Sequence, residues 1–276
     1  MAVTARRKPG FRLALGSTLF FLGIMVLMPM ASLVMSALGM NWDTFVEAAF
    51  SPRVMASYRL SLGASLLAAS INGVFGLVLA WVLVRYHFPG KKLVDSLVDL
   101  PFALPTAVAG IALTALLAGN GWIGRWAEAM GMQLVFNPVG VVIALIFIGI
   151  PFVVRTVQPV LEGLGQELEE VSACLGANRW QTFRRVILPT LLPALATGFA
   201  MAFARAVGEY GSVIFIAGNL PMESEITPLI IMGRLEQFDY QGASAVALVL
   251  LMMSFLMLLV INGLQLWQYR RRESPA

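Results

Sequence analysis

The stretch LSLGASLLAASINGVFGLVLAWVLV, Leu60–Val84, runs for 25 residues without a Lys, Arg, Asp or Glu. At about 1.5 Å of rise per residue, a helix of that length crosses the roughly 30 Å hydrocarbon core of a bilayer. Only helices and closed barrels satisfy their backbone in lipid, and the stretch shows no alternation of apolar and polar residues, so it reads as a transmembrane helix. Moving outward from it, the same reading applies to four more charge-free runs: Leu13–Trp42 (30 residues), Leu100–Gly124 (25), Ala129–Val154 (26) and Tyr240–Tyr269 (30). A sixth apolar stretch, about 194–217, is long enough but carries Arg205 and Glu209 inside it. The expectation is an all-α membrane protein with six transmembrane helices.

Composition agrees. Of 276 residues, 59% are hydrophobic and 12% charged, with a mean hydropathy of +0.82. A soluble domain carries about 25% charged residues. Half that charge leaves too little polar surface for a globule in water, which sets aside a soluble enzyme, a disordered region and a nucleic-acid module despite a pI near 9.6. A lone cysteine, Cys174, and a lone histidine, His87, exclude a disulfide framework and argue against an all-protein zinc site.

The first apolar run follows Arg6, Arg7, Lys8 and Arg12, as a signal peptide would. It is much longer than the apolar core of a cleaved signal, about 7–15 residues, and no small-x-small site follows it, so an uncleaved helix is expected. With the N-terminus inside, the inner segments hold 14 of the 19 Lys and Arg residues and the outer segments hold 4; Arg205 lies in the membrane. That asymmetry places both termini in the cytoplasm. Five of the Trp residues (Trp42, Trp81, Trp122, Trp126 and Trp267) fall near proposed helix ends, as an aromatic belt would put them.

The long inner loop, about 160–190, is the least membrane-like part. Leu161, Leu164, Leu168, Val171 and Leu175 recur at helical spacing, Gly176 breaks the pattern, and Asn178 is placed to cap a second short helix that carries Trp180 and Phe183 and ends before Pro189. Two short helices joined at a glycine form a knob. It either rests its apolar face on its own bundle or inserts that face into a groove on a soluble partner.

Within this loop, Glu170-Val171-Ser172-Ala173-Cys174-Leu175-Gly176 followed by Val186-Ile187-Leu188-Pro189 resembles the E-A-A-x-x-x-G-(x9)-I-x-L-P signature of ABC importer permeases. The Glu, the Gly and the Leu-Pro match at their spacing, while Val171, Ser172 and Val186 depart from it. The segments Leu100–Thr106, Pro151–Pro159, Ala204–Gly211, Ser212–Asn219 and Leu235–Tyr240 are similar to the oxyanion branch of that family, the sulfate/thiosulfate permeases above all, over about residues 12–268. The resemblance implies a type I ABC importer permease fold in a bacterial inner membrane. It divides the chain into an N-terminal part with the first helix and first periplasmic loop (1–58), a five-helix permease core (59–267) and a basic cytoplasmic tail (268–276).

It also implies an assembly: a second homologous permease subunit, two ATP-binding subunits and a periplasmic sulfate/thiosulfate-binding protein, with the bilayer around them and no nucleic acid. The loop would dock on the ATP-binding subunit through Glu170, Ala173, Leu175, Gly176, Ala177, Trp180, Phe183, Leu188 and Pro189. No phosphate-binding G-x-x-x-x-G-K-[ST] occurs in the chain. ATP and Mg would therefore sit on the partner, no cofactor belongs to this chain, and the chain is a translocation subunit rather than an enzyme.

Arg205 and Glu209 stand i,i+4, within reach of each other on one helical face. Either they neutralise one another and pack in the bundle, or Arg205 offers a cation to a passing dianion while Glu209 holds it. Gly208 and Gly211 beside them, with Tyr210, serve close packing or a locally unwound segment that lines the path. Pro101 and Pro105 are expected to start the third helix, Pro151 to kink the fourth, and Asn72 to make an interhelical hydrogen bond. The alternative cargo is molybdate or another oxyanion. A secondary transporter, the other class weighed, would show internal repeats with broken segments at matching positions, and no such duplication is found.

Overall fold

The computed structural model describes residues 11–165 and 167–273, with side chains except at Arg12 and 264–273. Arg6, Arg7 and Lys8, and the last three residues of the tail, lie outside the described residues. The secondary structure among the described residues is helical.

α1 (Phe11–Leu22), a wide π turn (Gly23–Leu27) and α2 (Met28–Leu38) run on as one rod, followed by the short α3 (Trp42–Phe50). α4 (Pro52–Arg85) opens with proline in its first turn, where the missing N–H has no partner to lose. Next come α5 (Lys91–Val98), α6 (Leu100–Ala103), α7 (Thr106–Leu117) and α8 (Gly124–Ala129). Asn137 caps α9 (Pro138–Gly163), its Oδ1 accepting from the Gly140 N–H at 3.1 Å. The second half of the chain gives α10 (Glu167–Cys174), α11 (Arg179–Thr182), a second π turn (Phe183–Ile187), α12 (Leu188–Val207), α13 (Val213–Ile216), α14 (Thr227–Glu236) and α15 (Tyr240–Glu273).

Among the described residues, five helical rods are long and apolar enough to cross a membrane: Leu13–Leu38, Pro52–Arg85, Pro138–Gly163, Arg179–Val207 and Tyr240–Gly263. The expected sixth, over Leu100–Gly124, is broken. Leu104 precedes Pro105, whose ring disfavours helical backbone at the residue before it, and Leu104 is extended at φ −84°, ψ 135°. The 12 residues of α7 that follow rise only about 18 Å. A run without charge is thus not a run without a break.

The centre is a crossing of α4, α9 and α12 made close by small side chains. α4 buries Ala64, Ser65, Ala68, Ala69, Asn72, Gly73, Gly76 and Ala80 along one face. A Cβ on Gly76 would meet Val153 of α9 at 2.8 Å, and one on Gly198 of α12 would meet the Val153 backbone at the same distance. In lipid, where apolar burial between helices gains little, such close approach supplies the contact that holds helices together. Asn72 lies in this crossing against Gly149 and is buried, but neither of its side-chain polar atoms has a hydrogen-bond partner among the described residues. The expected interhelical bond is not formed. The first rod differs from the rest: none of its most apolar stretch is buried, and it joins the bundle where α2 lies along α15.

Candidate functional site

The knob forms largely as its residues dictate. α9 stops at Gly163, so the stripe from Leu161 to Leu175 is divided: Leu161 is fully buried in the bundle, while Leu168 and Val171 are exposed on α10 and Leu175 is exposed just past its end. Glu167, Glu169 and Glu170 occupy the first turn of α10, where negative charge suits the helix dipole. Gly176 takes the left-handed conformation (φ +81°) that a side chain would resist, and the reversal closes with the Ala177 N–H donating to Ser172 C=O at 3.0 Å. Asn178 then caps α11 reciprocally: the Gln181 N–H donates to its Oδ1 at 2.8 Å and its own N–H donates to Gln181 Oε1 at 2.9 Å.

The helix begun at Arg179 does not end before Pro189, as the sequence suggested. It continues through the π turn into α12, because Pro189 stands in the first turn of α12 and the wider turn absorbs the lost bond. The residues assigned to docking therefore separate into two groups. Glu170, Ala173, Leu175, Gly176 and Trp180 are exposed at the tip, Leu175 at 83%, and Ala177 is half-buried beside them. Phe183, Leu188 and Pro189 are partly buried at the root, where Phe183 packs against the core and stacks on Trp180 with centroids 5.8 Å apart.

The second predicted group lies where the fifth rod stops. α12 ends at Val207, so Glu209 is not on the helix that carries Arg205; Gly208 caps the end and the chain is unwound to Ser212. Arg205 still pairs with Glu209 across this break. The Glu209 carboxylate is buried and accepts further from the Ser212 N–H at 3.0 Å and the Ser212 hydroxyl at 3.1 Å, whereas the Arg205 side chain is 36% exposed. At Gly211 the segment is both unwound and closely packed: a Cβ there would strike Thr106 at the start of α7. On the other side, a Cβ on Gly110 of α7 would strike the Ser212 backbone. The break at Leu104–Pro105 and the break at Gly208–Ser212 therefore face each other. Tyr210, within the second break, is half-buried, and Gly208 has open space around it. One partly exposed guanidinium, anchored by a buried carboxylate, next to two interrupted helices is an arrangement that can hold an anion weakly.

Several ion-pair sites went unread in the sequence, where their members counted only toward the charge of a face, and two of them are forked. Arg155 on α9 forks onto Asp99 at 2.8 and 2.6 Å, and also donates to Asp95 Oδ1 at 2.7 Å and to Gln158 Oε1 at 2.7 Å, tying α5 and the start of α6 to α9. At the opposite end of the bundle, Arg53 forks onto the buried Glu225 at 2.7 and 2.6 Å. Nearby, the hydroxyls of Ser57 and Ser61 each lie 3.1 Å from that of Thr227, pinning α14 to α4. Partners 56 to 172 residues apart in the chain leave no spacing signal to read.

Residues 72–274 match the family model described as binding-protein-dependent transport system inner membrane component. The chain belongs to this family. The permease is 50% identical over 265 residues to the sulfate transport system permease protein CysT of Escherichia coli strain K12, covering 96% of each chain, and 46% identical over 253 residues to that of Synechocystis (92% and 88%). Its fold is also that of a chain in the crystal structure of a bacterial alginate ABC transporter in complex with an alginate pentasaccharide-bound periplasmic protein (TM-score 0.76, 18% identity, 96% of each chain). The permease is thus an inner-membrane component with an ABC-transporter fold.

Proposed function

We propose that this permease is one of two membrane subunits of an ATP-driven importer of sulfate and thiosulfate in a bacterial inner membrane. The observation that carries the reading is the identity of half of all residues, spread over 96% of the chain, with a relative named for sulfate transport. A second, related permease completes the pathway, and two ATP-binding subunits carry ATP and Mg. A periplasmic binding protein delivers the anion; the alginate relative of like fold, solved with a substrate-bound periplasmic protein, supports a partner of that kind. Both termini lie in the cytoplasm, as the distribution of Lys and Arg favours.

The exposed tip of the knob enters the ATP-binding subunit, and closure of the ATPase dimer is transmitted through the root of the knob to the interrupted helices. Arg205 then meets the passing dianion. The carboxylate of Glu209 offsets its charge, which keeps the anion from being held too tightly to leave. The test is uptake of labelled sulfate in cells that lack their own sulfate permease and carry this chain with its neighbouring transport genes. Uptake competed by thiosulfate and not by molybdate is expected. Molybdate uptake instead would reassign the cargo, and no uptake of any oxyanion would overturn the reading.

A further inference from the structure

Beside the root of the knob, several helices meet at one side chain that belongs to no motif. Arg85 is the last residue of α4. Its Nη2 donates to Leu164 C=O at 2.8 Å, satisfying a carbonyl at the end of α9 that has no partner within the helix. Its Nε lies 2.9 Å from Glu169 Oε1 on α10, a charge contact whose N–H is not aimed at the oxygen. Its guanidinium carbon stands 5.7 Å over the Trp81 ring. Trp81 in turn meets Phe183 edge-on at 5.6 Å, and Phe183 begins the wide turn that leads into α12. The side chain of Arg85 is only 11% exposed, so it is locked in place rather than solvated.

Four helical segments therefore converge on Arg85. Glu169 is adjacent in sequence to the motif residue Glu170 but points to its own bundle instead of outward, being half-buried where Glu170 is exposed. An ion pair without an aligned hydrogen bond keeps its attraction over a range of orientations, because charge attraction lacks the steep angular dependence of a hydrogen bond. α10 can thus pivot on this contact without losing it. By contrast, α5 is bolted to α9 by the Arg155 fork, which fixes direction as well as distance.

We infer that Arg85 is a positioning residue for transport: it carries movement of α10 to α4 and α9, and Glu169 is the other half of the joint. This rests on the reading of the chain as a subunit driven by an ATPase. A residue that only stabilises the fold would, when replaced, lower the amount of inserted protein and the retained ATPase together with uptake. A joint predicts a split between them.

The experiment measures three quantities on the whole complex in proteoliposomes with the binding protein: recovery of the complex, ATP hydrolysis with and without loaded binding protein, and sulfate uptake. Glu169→Gln, a near-isosteric change on a part-exposed side chain, and Arg85→Glu should leave the ATPase bound. Uptake should fall by about tenfold, the scale of coupling between contacting charges, and hydrolysis should no longer respond to loaded binding protein. The exchange Arg85→Glu with Glu169→Arg should return most of the uptake. If Glu169→Gln transports normally, if the exchange is no better than the single changes, or if uptake falls only in step with complex recovery, the inference is overturned. If the unmodified chain retains no ATPase, it is the proposed function that fails.

Discussion

Arg205 and Glu209 show how a charge can be admitted into an apolar bundle. A lone charge at mid-bilayer costs about 2.5–3.5 kcal/mol on insertion scales. Glu209 avoids that cost with one ion pair and two hydrogen bonds from Ser212, which leaves Arg205 the only member of the pair with free surface. Arg205→Gln should therefore lower sulfate uptake several-fold while the ATPase still co-purifies, and normal uptake in that variant would remove Arg205 from the path. Gly110 carries a steric prediction. Gly110→Val places methyl groups where the Ser212 backbone stands, so it should abolish uptake and lower the melting temperature of the purified permease in detergent. A melting temperature equal to that of the unmodified chain would show that the two breaks do not touch. The pairing of Arg205 with Glu209 was legible in the sequence because side chains four residues apart are neighbours in a helix. That Glu209 lies past the helix end was not, since an unwound Gly208 and a helical one have the same spacing.

Among elements, the knob was the most legible and the third apolar run the least. Gly176 and Asn178 act on their own neighbours, so local chemistry decides the reversal and the cap without help from the rest of the chain. Asn178→Ala should cost about 1 kcal/mol of local stability through loss of the cap. Faster amide exchange confined to residues 178–182 would report it, and unchanged exchange would mean that Trp180 and Phe183, not the cap, hold the turn. Leu100–Gly124 misled because hydropathy measures affinity for lipid and is blind to Pro105, whose effect falls on the residue before it. The continuation of α11 into α12 was hidden for the mirror reason. Pro189 reads as a stop, yet the wide turn just before it absorbs the bond that its missing N–H cannot make.

For the molecule as a whole, sidedness is the property most open to direct measurement. Cys174, the sole cysteine of the sequence, is exposed on α10 at the tip of the knob. A membrane-impermeant maleimide should label it in inside-out vesicles and leave it untouched in right-side-out ones. Bound ATP-binding subunit should protect it. Labelling from the opposite face would reverse the topology, and labelling unaffected by the partner would move the docking surface elsewhere.

The wide turn at Phe183–Ile187 has a consequence for this arrangement as a whole. Each residue of an α-helix advances its direction by about 100°, so one residue more or fewer in that turn rotates everything after it as a block. The turn thereby acts as a phase-setter between the part of the chain that receives force and the part that meets the cargo. Deleting a single residue there would leave the reversal at Gly176 intact and turn Arg205, with the rest of α12, toward different neighbours.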